Sequence, residues 1–378
     1  MLRWTLRRKL VALIVGPTVL IYILILGLAM LALRNENQRQ ISAQNTLLAV
    51  NYAARFDAAL QKAAAVADAT AGFLDNCPDL SEEQLYQQLE KNVRQIPYIY
   101  GAALAFKPGT YLKSDALYSP YVHRAGDALA RLNIDDSVYD WYRDDTWQWF
   151  RGPMKTERPM WSEVYFDEGA GNVLMVTYSA PFFRDGKFRG VATVDIELPR
   201  LNETIGRHIV GDLTFDVLAP DGRYVYSSAP GMIGKNALDA AREEGRADLA
   251  ELVEKVTGGA TGMAELRGVE LADASEDVYW VFYAPIESAH WGFAINVRRD
   301  DALAPVHRRM LFAAGALTLT LLLIVIAVLL VSGRIAAPVA ALRAQVARVA
   351  EGDIDAKVDD PGTTDEVGDL ARAFNGMT

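Results

Sequence analysis

Two uncharged runs of 24 residues, Leu10 to Leu33 and Met310 to Gly333, constrain this chain more than any other feature. At a 1.5 Å rise, about 20 apolar residues cover the hydrocarbon core of a bilayer, so each run predicts a membrane-spanning helix. Two spans exclude a polytopic transporter and leave residues 34–309 as one block between them. The residues before the first run include Arg3, Arg7, Arg8 and Lys9 and no acid. By the positive-inside bias this places residues 1–9 in the cytoplasm, and a second span returns residues 334–378 there. The alternative, a cleaved signal peptide, calls for an apolar core of about 7–15 residues, shorter than this one. The expected location is therefore the cell (inner) membrane, with residues 34–309 outside.

Charge narrows the partners. The whole chain carries −10, the first nine residues +4 and those from Met310 onward −3, which leaves −11 for residues 34–309. An acidic exterior of this kind excludes nucleic acid and an anionic membrane surface as its partner. Cys77 is the single cysteine, so no internal disulfide can form and no thiolate-rich zinc site exists. His123, His208, His290 and His307 lack metal-ligand spacing, and the chain has neither a G-x-S-x-G elbow nor a P-loop. Glu163, Asp167 and Glu168 lack the even spacing of a calcium loop and read as a hairpin edge. No metal, no cofactor and no catalytic residue are expected in the residues present.

Between Asn35 and Leu74 the only proline or glycine is Gly72, while Ile41, Leu48, Phe56, Leu60, Ala63, Ala67 and Ala71 recur at helical intervals. This predicts a long helix, 34–79, continuing from the membrane and broken at Asn76, Cys77 and Pro78. A second helical stretch, Leu80 to Ile96, follows. Short aromatic and β-branched runs then predict strands: Tyr98 to Phe106, Asn172 to Phe183 and Phe188 to Leu198, the last two joined as a hairpin by Asp185-Gly186. A similar set begins at Leu213 to Leu218 and Arg223 to Ser227. It continues with a helical segment from Ala237 to Val256 and closes with Val278 to Ile286 and Trp291 to Val297.

These sets read as two copies of one module, over residues 80–205 and 206–300. Tyr178-Ser179-Ala180-Pro181 precedes Gly190 to Asp195, and Tyr283-Ala284-Pro285 precedes Gly292 to Val297. Five residues after the glycine stands Asp195 in the first copy and Val297 in the second. A charge within an apolar strand needs a partner. Two readings are open: a local arginine, Arg189 or Arg200, or a cationic ligand held in a cavity. Trp141, Tyr142, Trp147, Trp149 and Trp161 lie within 21 residues and include four of the seven tryptophans, which suits a small-molecule pocket.

The order Trp141-Tyr142, Trp161 to Asp167 and Gly190 to Asp195 resembles the first module of a double Cache sensor, a pair of PAS-like extracytoplasmic modules on one long helix between two spans. The resemblance implies an α/β fold with two antiparallel sheets. In members that bind amino acids, a Trp-Tyr pair, a Tyr-x-Asp and a late Asp surround the ligand. Trp141, Tyr142, Tyr165, Asp167 and Asp195 match these positions. The arginine that grips the ligand carboxylate is replaced by Tyr139, which removes the bidentate donor. The implied ligand is a small amine or another polar metabolite.

After the second span, Ile335, Val339, Leu342, Val346 and Val349, and then Val367, Leu370, Phe374 and Met377, form two heptad seams separated by Gly352, Pro361 and Gly362. With Pro338, Asp365-Glu366-Val367-Gly368 and Phe374-Asn375, this segment, 334–378, resembles a HAMP domain, stopping inside the second helix. Two short parallel seams imply a homodimer. The whole implies a transmembrane receptor, the alternative being a membrane-anchored ectoenzyme or surface binding protein, which has no use for a cytoplasmic bundle. Chemoreceptor, histidine kinase, cyclic-dinucleotide synthase and serine phosphatase outputs share such inputs. The stretch from Trp161 to Phe183 resembles sensors fused to SpoIIE-like phosphatases.

Overall fold

The computed structural model describes residues 6–77, 80–201, 214–268, 277–351, 357 and 365–377. The expectations on Pro78, on the module boundary at 205/206 and on the Gly352, Pro361 and Gly362 connector lie outside these residues, as does the side chain of Val367.

Two units arise. The larger, Gln40–Ala302, hangs on helix α1, Leu6–Asn76, whose first part belongs to the other unit. Ala49, Ala53, Phe56, Leu60, Ala63, Ala67, Ala71 and Leu74 recur every three or four residues and are all buried, so the alanine-rich stripe lets the sheets approach closely. Helix α2, Glu82–Gln95, starts in a capping box: Ser81 N donates to Gln84 Oε1 at 2.8 Å while Ser81 Oγ accepts from Gln84 N.

The first module is an antiparallel sheet in the order β3-β2-β1-β7-β6-β4, with β5 also pairing β6. Its strands are β1 Gly101–Phe106, β2 Pro120–Ala125, β3 Ala128–Asn133, β4 Met160–Trp161, β5 Tyr165–Phe166, β6 Leu174–Arg184 and β7 Lys187–Glu197. Asp185 and Gly186 both take positive φ, the requirement of the tight turn that joins β6 to β7. Helix α3, Gln148–Thr156, and the short α4, Leu198–Leu201, complete the module.

The second module repeats the plan in five strands, order β10-β11-β12-β8-β9. They are β8 Thr214–Leu218, β9 Tyr224–Ser227, β10 Gly262–Arg267, β11 Val278–Ile286 and β12 Trp291–Arg298. In both sheets the module's first strand lies beside its last. The segment expected as one helix from Ala237 is two, α5 Ala237–Glu243 and α6 Ala247–Thr257, because Gly245 takes a positive φ between them. Their buried faces, including Leu249, Leu252, Val253 and Val256, cover one side of this sheet.

The other unit comprises Met1–Arg39 and Leu303–Thr378. It contains two stretches long and apolar enough to cross a membrane, Val11–Ala29 and one within α7, Arg299–Ala350; neither is buried, and Leu13 and Phe312 are more than 70% exposed. Such apolar surface is stable only in lipid. Helix α8, Glu366–Met377, is capped by Asp365, whose carboxylate accepts from Gly368 N at 3.0 Å. Ala371 and Phe374 pack against Leu342 and Val349. Val346 and Leu370, seam positions by spacing, are exposed.

Candidate ligand site

Strand pairing fixes which side chains meet. Asp195 on β7 stands directly opposite Thr177 on β6 and Gly101 on β1; Thr193 stands opposite Ala103, which in turn faces Tyr121 on β2. Residues in register share a face. Thr177 Oγ1 therefore reaches Asp195 Oδ1 at 2.8 Å, and the Tyr165 hydroxyl, 2.7 Å from Thr177 Oγ1, continues the chain as its donor. Gly101 is required here, since a Cβ at this position would collide with the Tyr121 hydroxyl.

The second acid comes from the turn between β5 and β6. Asn172 N donates to the Asp167 carbonyl, closing the turn, and Gly171 N donates to Asp167 Oδ2 at 2.7 Å. Tyr139, from the long connection after β3, donates its hydroxyl to Asp167 Oδ1 at 2.8 Å. Its ring stacks on Trp147 at 3.9 Å, and Trp147 meets Tyr165 edge-on. Below them a cavity is lined by Ala103, Tyr121, Ile134, Tyr139, Trp149, Tyr165, Asp167, Thr193 and Asp195. Its free volume of about 10 Å³ is on the scale of a single water, so a larger guest must displace lining side chains.

Asp167 and Asp195 are 3% and 5% exposed. Burial pushes the Asp195 carboxyl up to about 7, against the Thr177 and Tyr121 hydroxyls and with help from the Asp167 charge. Burial also raises Asp167, opposed by the Gly171 and Tyr139 hydrogen bonds. Among the described residues neither acid is in an ion pair. The Asp195 partner is Thr177 rather than Arg189, whose Nη2 donates to the Thr110 carbonyl. Trp149 Nε1 is buried at the cavity without a hydrogen bond, and the Tyr121 hydroxyl, also buried there, makes no well-formed bond but favours the Asp195 carboxylate.

Of the residues singled out by sequence, Tyr139, Tyr165, Asp167 and Asp195 thus converge on one cavity. Trp141 and Tyr142 do not line it: Trp141 is fully buried with Nε1 donating to the Ile134 carbonyl, and Tyr142 packs on Trp141 and Phe150. Trp161 packs instead on Tyr178 and Trp291. Trp149, named within the aromatic cluster, does line the cavity; Tyr121, Thr177 and Thr193 were missed, although the alternation of strand faces carried a signal for Thr193, two before Asp195, whereas Tyr121 depends on a strand pairing remote in sequence.

The repeat also needs correction. Pro181 pairs with Val191, but Pro285 pairs with Gly292, so the second copy is displaced by one residue and the counterpart of Asp195 is Asn296, not Val297. Asn296 Nδ2 donates to Asp216 Oδ2 and Ser227 Oγ to Asp216 Oδ1, both at 2.6 Å. The second module does hold a carboxylate on this face, already engaged by its own side chains.

Comparison with known proteins gives the frame. Residues 85–203 match the family model of the methyl-accepting chemotaxis protein-like first PDC sensor domain, and residues 330–378 match the HAMP domain model. No curated protein matches the chain in sequence. Among solved structures, the extracellular domain of a candidate histidine kinase, soHK1S-Z6, is 27% identical, covering 73% of this chain and 98% of its own, with a TM-score of 0.58. That of a second such kinase, mmHK1S-Z3, is 22% identical, covering 70% and 97%, with a TM-score of 0.59. The ligand-binding domain of the Pseudomonas fluorescens chemoreceptor CtaA, solved with L-leucine, is 13% identical over 71% and 99%, with a TM-score of 0.50, a likeness of fold alone. The chain therefore carries a PDC, Cache-like sensor domain and a HAMP domain flanked by apolar helices, the build of a transmembrane signalling receptor of the chemoreceptor or histidine kinase type.

Proposed function

We propose that this receptor senses a small amine bound in the first module, with its ammonium group between Asp167 and Asp195. The observation that carries this reading is the pair of buried carboxylates in one cavity with no ion-pair partner among the described residues. Two like charges in a low dielectric each disfavour ionisation of the other, and a cation between them removes that cost. Tyr139 supports the same choice, because the position the family gives to a carboxylate-gripping arginine here donates a hydroxyl to Asp167. Tyr165 and Tyr139 wall the cavity, while Trp141 and Tyr142 support it from behind.

Ligand closure of the aromatic cover would bias α7 and so the packing of the HAMP helices. The seam residues left exposed, Ile335, Val346, Leu370 and Met377, favour a parallel homodimer in which a second copy covers them. Residues 1–9 and 334–378 are then cytoplasmic in the cell (inner) membrane, and the relay feeds an output module. A serine phosphatase output is the reading that the Trp161 to Phe183 resemblance supports, and the coding sequence around Thr378 tests it.

The test is thermal denaturation of the full chain in lipid nanodiscs over a panel of amines, amino acids and other polar metabolites. Amines are expected to raise the Tm of the parent and to leave Asp195→Asn unmoved. Equal stabilisation of both proteins by the same amine would place the site elsewhere.

A further inference from the structure

Two groups at the cavity wall lack a well-formed hydrogen bond, although the Tyr121 hydroxyl stands near enough to Asp195 to favour its carboxylate. They are Trp149 Nε1, on α3, and Tyr121 Oη, on β2, both buried. An indole N–H can only donate. A buried donor left without an acceptor costs roughly 1–3 kcal/mol, so a protein that keeps one at a cavity wall gains when a guest brings an acceptor to it. Every other polar side chain at the cavity is engaged: Tyr165 with Thr177, Thr177 with Asp195, Tyr139 with Asp167 and Thr193 with Ala103 N.

Resting on the amine reading, we infer that Trp149 Nε1 and Tyr121 Oη form a second pole of the site that receives a neutral oxygen acceptor, so that the ligand is a compact amine bearing an amide, carbonyl or hydroxyl oxygen. Neutrality follows from the lining. Among the described residues no lysine or arginine lines the cavity, and two aspartates do, so a ligand carboxylate would be desolvated beside like charges. The lining residues enclose little free space, which favours a compact guest. A plain alkylamine satisfies only the acidic pole and leaves both donors unpaired.

Three probes of one shape separate these cases: glycinamide, glycine and isobutylamine share a branched skeleton and differ in what the branch carries. Binding of each to the full chain in nanodiscs is measured by calorimetry for the parent, Trp149→Phe and Tyr121→Phe. In the parent, glycinamide is expected to bind at least tenfold more tightly than isobutylamine or glycine. Each substitution is expected to shrink the ratio of glycinamide to isobutylamine affinity several-fold, with circular dichroism of each variant reporting that it is folded.

If glycinamide and isobutylamine bind the parent equally, the orphan donors hold an ordered water only; the acceptor pole is then wrong and the amine reading stands. Tighter binding of glycine than of glycinamide overturns the neutral class. A ratio untouched by both substitutions removes Trp149 and Tyr121 from recognition. If none of the amines binds, the amine reading falls and this inference with it.

Discussion

Asp195 is the residue on which most of the chemistry turns. Its carboxyl titrates near 7 because it is buried beside Asp167, and the raised value means that the ligand-free fold binds its proton more tightly than the unfolded chain. The stability this contributes is fully present below the ordinary carboxylate range and is lost as pH rises through about 7. Asp195→Asn is therefore expected to raise the Tm of the ligand-free protein most at pH 7 to 8, by less at pH 5, and hardly at all once the pH falls below the ordinary carboxylate range, read by calorimetry. A cationic ligand needs the ionised form, so its affinity should improve by up to about tenfold per pH unit below 7 and level off above it. Thr177→Val removes the hydrogen bond that favours the carboxylate, and should move the midpoint of this pH profile upward. Loss of the Asp195 charge itself should cost ~2 kcal/mol or more, at least about thirtyfold in Kd.

At the scale of elements, the pairing of strands and the facing of helices decide function. β7 presents Thr193 and Asp195 to the cavity, with Val191 on the same face, because its alternation is pinned to β1 at Ala105, Ala103 and Gly101. The same alternation, displaced by one residue in β12, presents Asn296 and closes the second module on Asp216. The HAMP helices show a comparable split. Leu342, Val349 and Phe374 meet within one chain, while Val346 and Leu370 remain exposed. A cysteine at Val346 is thus expected to crosslink to its dimer mate in membranes more readily than one at Arg343 or Arg348, by non-reducing electrophoresis of the full chain. Equal crosslinking at all three would argue against a parallel seam at that position.

For the whole molecule, two exposed apolar helices and an acidic block between them define a receptor that spans a membrane. The proposed orientation predicts that a phosphatase reporter, active only outside the cytoplasm, is active when fused after Leu252 and silent when fused after Ala347. The reverse pattern would invert the topology and move the sensing unit inside. Pro305 and Pro338 lie within α7, where a missing backbone donor weakens the helix locally and lets motion enter as tilt or rotation.

What the linear sequence determined is what depends on near neighbours. The apolar runs, the alanine stripe of α1 from Ala49 to Leu74 and the Asp185-Gly186 turn each follow from spacing or from one residue's backbone freedom. The convergence of Tyr165, Asp167 and Asp195 was legible through family resemblance, not through spacing. Tertiary structure alone decided the rest. Tyr121 reaches the cavity from β2 because a glycine on a neighbouring strand leaves it room, and Trp149 rather than Trp141 lines that cavity because the Trp141 indole is tied to the Ile134 carbonyl. The counterpart of Asp195 was misread for the same reason: glycine matched glycine along the chain, but the face a strand residue occupies is set by its partner across the sheet. A shift of one residue exchanges the two faces.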